Sequence, residues 1–288
     1  LIKNKDFALV ISCPKDEKGS GGLFSYRGYE IEKIDALSTS GITVAGQRFV
    51  RLLRGYSKTD SVGEILIYTC KGIEDHYFIE NLSDAHEIIW DGQNYIVTST
   101  FMNTILWVSI GGKITKKWIA PGEKDSWHLN GLFLNNDDLF VSAFGKFQKY
   151  QEWRTHKNDC SGIIFNIATG EEVIRGMSCP HNPRLIDGNW LICNSAKSEI
   201  LQIDPTDGII IRRLKLNGWT RGIAFCEELI FAGESANRHT FLLGETASIA
   251  VICRKTWNIL QRIPIQCREI SDLALVPIDL CQGLKKGS

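Results

Sequence analysis

The chain has no apolar run approaching the roughly 20 residues that a membrane-spanning helix requires, no CxxC pair, and no excess of either charge. Its opening residues, LIKNKDFALVISC, are too charged, and their apolar stretch too short, for a secretory-signal core. The expectation is a cytoplasmic protein without membrane attachment. Thirty-three basic residues balance 33 acidic ones, which leaves no global field to draw the chain onto nucleic acid. Neither nucleic acid nor a membrane is an expected partner. Cysteine is present but unorganised: nine residues, an odd number, are scattered from Cys13 to Cys281, so neither a disulfide framework nor a zinc ribbon is indicated. Free thiols follow, with Cys193, Cys226 and Cys253 acting as small hydrophobes inside apolar runs. There is no Walker-type loop, no GxGxxG and no GxSxG, which removes support for nucleotide hydrolysis and serine-hydrolase chemistry.

What the chain does contain is a repeat. At 288 residues and 43% apolar composition, length alone favours about two domains, but self-similarity changes that expectation. Four segments share one grammar of polar opening, apolar run, tight polar turn and second apolar run. They are HEIIWDGQNYIVTS (86–99), HLNGLFLNNDDLFVSA (128–143), HNPRLIDGNWLICNS (181–195) and TRGIAFCEELIFAGES (220–235). SGITVAGQRFVRLLRG (40–55) is a weaker copy, and EISDLALVP (269–277) is the opening half of a sixth. The starts are 46, 42, 53, 39 and 49 residues apart. Turn signals between short β-branched and aromatic runs are hairpin chemistry. Two further runs follow each hairpin, and four strands at this period make a propeller blade. The three strands missing from the sixth unit are available at the N-terminus as FALVISC, GGLFSY and YEIEKIDALS. An all-β, six-bladed propeller is therefore expected, one domain spanning 1–288, with the ring closed by N-terminal strands joining the C-terminal one. Closure also removes the exposed sheet edges.

Such a ring brings the start of every innermost strand, and every second-to-third-strand loop, to one mouth. Those positions carry His86 with Glu87, His128 with Asn130, His181 with Asn182 and Arg184, Arg221, and Glu269 with Asp272. The loops add Trp153, Arg154, Glu234 and Arg238. Three of six histidines occupy equivalent places. For any one such residue, bonding to neighbouring backbone is as good a reading as function. A whole ring of polar groups exceeds what blade packing requires and points to a polar ligand.

Two chemistries compete for the histidines. His86, His128 and His181 could hold a divalent metal, with Glu87 nearby. Alternatively His128, His181 and Glu87 could exchange protons, since imidazole titrates near neutrality. Arg154, Arg184, Arg221 and Arg238 suit an anionic group. Asn130, Asn182 and Glu234 would orient the ligand, and Trp153, on a long loop that could act as a lid, offers a stacking face. Cys179 precedes His181 by two residues, but with neighbouring strand positions facing opposite ways and no oxyanion-hole grammar, an inert buried thiol is the better reading. His76, His156 and His239 are expected at the surface.

The segments WHLNGL (127–132), VSAFG (141–145), WR (153–154), GMSCPHNPR (176–184), GWTRGIAF (218–225) and FAGES (231–235), with Arg238, together resemble a bacterial propeller family known as a domain of unknown function. The resemblance covers most of the chain and implies a six-bladed propeller with a polar cluster built from these motifs, but no reaction. Where members of that family often read PHSPR, this chain has PHNPR, with Asn182 in the variable place. More distantly, the architecture is similar to gluconolactonase-like and glutamine-cyclotransferase-like propellers, a likeness that implies a metal in the central cavity. The expected function is an enzyme, a metal-assisted or histidine-based hydrolase, lyase or isomerase, acting on a small polar, anionic or sugar-like substrate. The alternative is a non-catalytic module that binds a saccharide or peptide. Oligomeric state is not legible.

Overall fold

Strands with continuous apolar sequence bury both faces, and strands that alternate bury one; in this chain the two kinds are ordered radially. The computed structural model describes residues 6–16, 19–55, 61–236 and 246–286. They form six four-stranded antiparallel sheets, each running from axis to rim. Blade 1 is Asp272–Pro277, Phe7–Cys13, Gly22–Arg27 and Glu30–Asp35. Blade 2 is Thr39–Ala45, Arg48–Leu53, Val62–Thr69 and Gly72–Glu80. Blade 3 is Ala85–Trp90, Asn94–Ser99, Thr104–Ser109 and Ile114–Ile119. Blade 4 is Gly131–Asn135, Asp138–Ala143, Gly162–Asn166 and Glu172–Met177. Blade 5 is Pro180–Ile186, Asn189–Asn194, Glu199–Ile203 and Ile210–Lys215. Blade 6 is Trp219–Phe225, Leu229–Ser235, Ser248–Cys253 and Ile259–Pro264. The six-bladed ring and its closure through blade 1, where Phe7 pairs with Pro277 and Ser12 with Asp272, are as the repeat implies.

Middle strands such as Leu229–Ser235 are buried throughout, whereas rim strands such as Ile114–Ile119 are mostly exposed. Each pair of adjacent blades encloses its own apolar layer: Leu9, Phe24, Phe231 and Ile249 between blades 1 and 6, Val50, Ile65, Val97 and Leu106 between blades 2 and 3. A helix after the last strand, α1 (Ile278–Lys286), presses Leu280, Cys281 and Leu284 onto the layer between blades 1 and 2. Among the described residues no helix is long and apolar enough to cross a membrane.

One irregularity recurs on the axis. The inner strands of blades 2, 3, 5 and 6 each slip register near their start, between Thr39 and Ile42, Ala85 and Ile88, His181 and Arg184, and Arg221 and Ile223. A β-bulge of this kind sets two residues against one and re-aims side chains. Left-handed backbone at Asn182 (φ 45°) and Gly222 (φ 77°) accompanies it, a conformation that asparagine and glycine accept most readily. Consecutive residues such as His86 and Glu87 thereby both reach the axis. Space there is tight: a Cβ on Gly41 would lie 2.7 Å from Glu87 Cα.

Candidate functional site

The strand openings surround a cavity of ≈ 290 Å³ lined by three imidazoles (His86, His128, His181), three aromatic rings (Phe144, Trp153, Trp219) and four cations (Arg54, Arg154, Lys157, Arg221). No carboxylate lines it among the described residues.

Two of the imidazoles are held by the same device. His86 Nδ1 lies 2.8 Å from the Asp84 carbonyl oxygen and 2.7 Å from Thr100 Oγ1, whose hydroxyl donates to the Leu129 carbonyl in blade 4's approach. His181 Nδ1 lies 3.1 Å from the Cys179 carbonyl and 2.8 Å from Ser195 Oγ, whose hydroxyl donates to the Thr220 carbonyl of blade 6. Carbonyl oxygens only accept, so Nδ1 carries the hydrogen in each ring. In neutral His181 the Nε2 lone pair is then left for the cavity. Burial, reinforced by Arg221, His86 and His128, holds the His181 pKa well below its ordinary value, so this imidazole is neutral and acts as an acceptor.

His128 breaks the pattern. Phe144 stands where Thr100 and Ser195 stand in their blades, its ring 4.3 Å from the imidazole. The hydroxyl's place is taken by a carboxylate: Asp125 Oδ1 lies 2.6 Å from His128 Nδ1, with both side chains buried. Asp125 is fixed in turn by the loop crossing the mouth. Gln151 Nε2 donates to its Oδ2 at 2.6 Å and Trp153 Nε1 to its carbonyl at 3.1 Å. Trp153 also packs on the His128 ring at 4.3 Å. Asp125 (φ 51°), His128 (φ 50°) and Gln151 (φ 53°) all adopt left-handed backbone, which non-glycine residues hold at a cost where surroundings enforce it.

The cations are anchored to different degrees. Arg221 pairs with Glu269 at 2.7 Å and bonds Ser271 Oγ at 2.9 Å; Arg54 pairs with Asp84 at 2.7 Å. Arg154 sits 5.5 Å from the Trp153 ring centre.

A second cluster occupies the axis. Arg184 Nη2 is 2.7 Å from Glu87 Oε1 and 3.8 Å from Asp272 Oδ1. Asn182 Nδ2 bridges both carboxylates at 3.3 Å each, and its Oδ1 accepts from the Gly222 amide at 2.7 Å. Blades 1, 3 and 5 thus meet on the axis. Burial raises both carboxyl pKa values, Glu87 being eased by Arg184 and Asp272 pushed up to about 7 by burial and then by Glu87. Asp272, farther from the guanidinium, is the group that holds a proton near neutrality. A carboxyl whose pKa is raised on folding stabilises the protein below its unfolded value near 3.9 and loses that contribution as pH rises to about 7. Asp272→Asn should therefore flatten the pH profile: relative to the parent, the variant gains ~2–4 kcal/mol between pH 4 and pH 8, read from urea unfolding midpoints. Parallel profiles across that range would refute it.

Of the residues singled out in the sequence, His86, His128, His181, Trp153, Arg154 and Arg221 converge on the cavity. Glu87, Asn182 and Arg184 lie in the axial cluster instead. Arg184 is three residues beyond His181, roughly 10 Å farther along a strand. Asn130 bonds Ser142 and the His128 carbonyl, and Glu234 is spent within blade 6 on Arg262, Ser248 and the Asn217 amide. Arg238 and His239 lie outside the described residues. Among the described residues no three His, Cys, Asp or Glu side chains are grouped as a metal ion would need; the Phe144 ring touches both His128 and His181. Cys179 is buried, and burial pushes its thiol up to about 12, which disfavours the thiolate in the folded protein. Arg54, Lys157, Phe144, Trp219 and Asp125 carry no signal in the repeat; only Asp125, three residues before His128, is locally accessible to inspection.

A six-bladed propeller with a histidine- and arginine-lined mouth defines the class. A family model, Domain of unknown function (DUF4915), matches residues 50–277, and the chain belongs to that family. No curated protein matches it. Among solved structures the chain is similar to a candidate 6-phosphogluconolactonase from Bacteroides fragilis, with TM-score 0.61 and 12% identity over 96% of this chain and 99% of that one. It is also similar to a chain of the nidogen/laminin complex, with TM-score 0.63 and 10% identity over 93% and 98%. A protein of unknown function from Bacteroides caccae gives TM-score 0.60 and 13% identity over 94% and 99%. Likeness at these identities shows the fold alone.

Proposed function

We propose that the mouth is the active site of an enzyme acting on a small anionic, sugar-like molecule, with His128 as the group that moves a proton. The observation that carries this reading is the exception at His128: among the described residues, of three equivalent imidazoles only this one has a carboxylate on Nδ1. A carboxylate there fixes the tautomer and stabilises the imidazolium formed when Nε2 takes a proton, the arrangement that general-base histidines use. His181, neutral and with Nε2 accepting, suits a ligand hydroxyl. Arg221, Arg54 and the lid cations Arg154 and Lys157 suit a carboxylate or phosphate. Trp153 and Trp219 offer apolar faces of the kind that sugar rings use. A designation shared by two similar propellers, 6-phosphogluconolactonase, names a phosphorylated sugar lactone and is consistent in chemistry.

The test is calorimetric titration with a hexuronate, an aldonate, a hexose 6-phosphate and a neutral hexose. At least one acid should bind while the neutral sugar does not, and Arg221→Leu should weaken the bound acid by roughly 30- to 1000-fold, the loss expected when one partner of a buried charged contact is removed. Equal binding of the neutral sugar, or binding indifferent to Arg221, would defeat the proposal.

A further inference from the structure

We infer that Cys13 and Cys267 form a cross-link site at the seam of the ring, two thiols placed to be joined as a disulfide by a small-molecule disulfide of the glutathione type. This does not depend on the proposed activity. Their sulfurs are 2.8 Å apart, against roughly 2.05 Å in a formed bond. Both residues are buried, at 0% and 1% exposure. No other two sulfurs are in contact among the described residues.

The placement gives the pair its meaning. Cys13 ends the strand Phe7–Cys13, contributed by the start of the chain. Cys267 lies in the segment leading from blade 6 into Asp272–Pro277, the strand on which Phe7–Cys13 pairs. A bond between them would span the one seam of the ring where strands from the two ends of the chain meet, joining residues 254 apart. Both backbones are already held in place: Cys13 pairs with Gly22, and the Cys267 carbonyl accepts from the Ala247 amide at 2.8 Å. Two residues on, Glu269 holds Arg221, so the linked segment also supports one wall of the mouth.

The chemistry balances with that co-reactant. One thiolate attacks the small disulfide, forming a mixed disulfide and releasing one small thiolate. The second cysteine, as thiolate, then attacks the mixed disulfide and releases the other. The protein loses two hydrogens and two electrons, the small disulfide gains both, and the two departing thiolates take the two protons.

The experiment is refolding of the whole chain from urea in a glutathione redox buffer, beside never-unfolded protein treated with the same buffer. Both are then alkylated in urea and digested without reductant. In at least the refolded sample the peptides holding Cys13 and Cys267 should appear joined and unalkylated, about 2 Da lighter than their sum. After excess dithiothreitol both should carry the alkyl group. Cys13→Ser should return Cys267 alkylated, which shows that no other thiol substitutes. The linked form should melt roughly 5 °C or more above the reduced one, since a long loop is closed in the unfolded chain. Finding both cysteines alkylated in the refolded, oxidised sample, or either joined to a different cysteine, overturns the inference; so does an unchanged melting temperature of the linked form.

Discussion

Arg51→Leu should lower the free energy of unfolding by about 3–5 kcal/mol, the usual cost of leaving one half of a buried ion pair without the other. Arg51 is fully buried in the second strand of blade 2. Its guanidinium reaches across the seam to Asp35, at the end of blade 1's rim strand, with contacts of 2.5 and 3.1 Å. It further donates to the Leu37 carbonyl at 3.1 Å, to Thr39 Oγ1, and to Tyr68 Oη at 3.4 Å. Leucine fills part of the volume but leaves the Asp35 carboxylate, 11% exposed, and the Tyr68 hydroxyl with fewer partners. If the loss arises from the stranded charge, Arg51→Met combined with Asp35→Leu should recover more than half of it. Urea unfolding monitored by circular dichroism reads both effects. A single variant within 1 kcal/mol of the parent, a threshold on the order of a surface pair, would mean that blades 1 and 2 are held by their apolar layer alone.

Asp125→Asn should reduce turnover by roughly 10²- to 10⁴-fold while substrate affinity stays within about tenfold, the pattern of a group that acts on the base and not on the ligand. Asparagine removes the charge that favours imidazolium, and its one oxygen can accept from His128 Nδ1 while its NH2 donates to a turned Gln151 amide oxygen, so the local packing is kept. His128→Asn should reach a similar floor, and the double variant should fall little further, because two members of one unit are not additive. His86→Asn is the contrast: its Nδ1 is satisfied by a carbonyl and a hydroxyl, so turnover should fall less than with His128→Asn. Binding and turnover measured on the acid identified by calorimetry check this. Comparable losses from His86 and His128 would remove the distinction on which the proton-transfer role rests, and binding without any turnover would favour the saccharide-binding alternative.

The blades are legible in the sequence because each is local: polar opening, apolar run, DG or NNDD turn and second run all fall within a few residues. The mouth is legible in part for the same reason, since His86, His128 and His181 open equivalent strands. What sequence does not place depends on contacts between blades. Arg54 and Lys157 reach the cavity from the end of a second strand and from a loop, places that ring closure alone brings together. The repeat puts Glu87 and Asn182 at the mouth, but the bulge at the start of their strands turns each next residue toward the axis as well, and an alternation rule cannot foresee that. Glu234 reads as one more acidic loop residue until Arg262, 28 residues on, is seen to claim it. Arg51 sits inside FVRLL, where only the partner Asp35 on another blade explains a charge among apolar neighbours.

The axial cluster of Glu87, Asn182, Arg184 and Asp272 also works as a hub. With blades 1, 3 and 5 joined across the axis, alternate blades are tied directly to one another and not only through the neighbour between them. The loop that carries Trp153 and grips Asp125 lies at the mouth of that ring, so one piece of chain both borders the cavity and holds the carboxylate on His128.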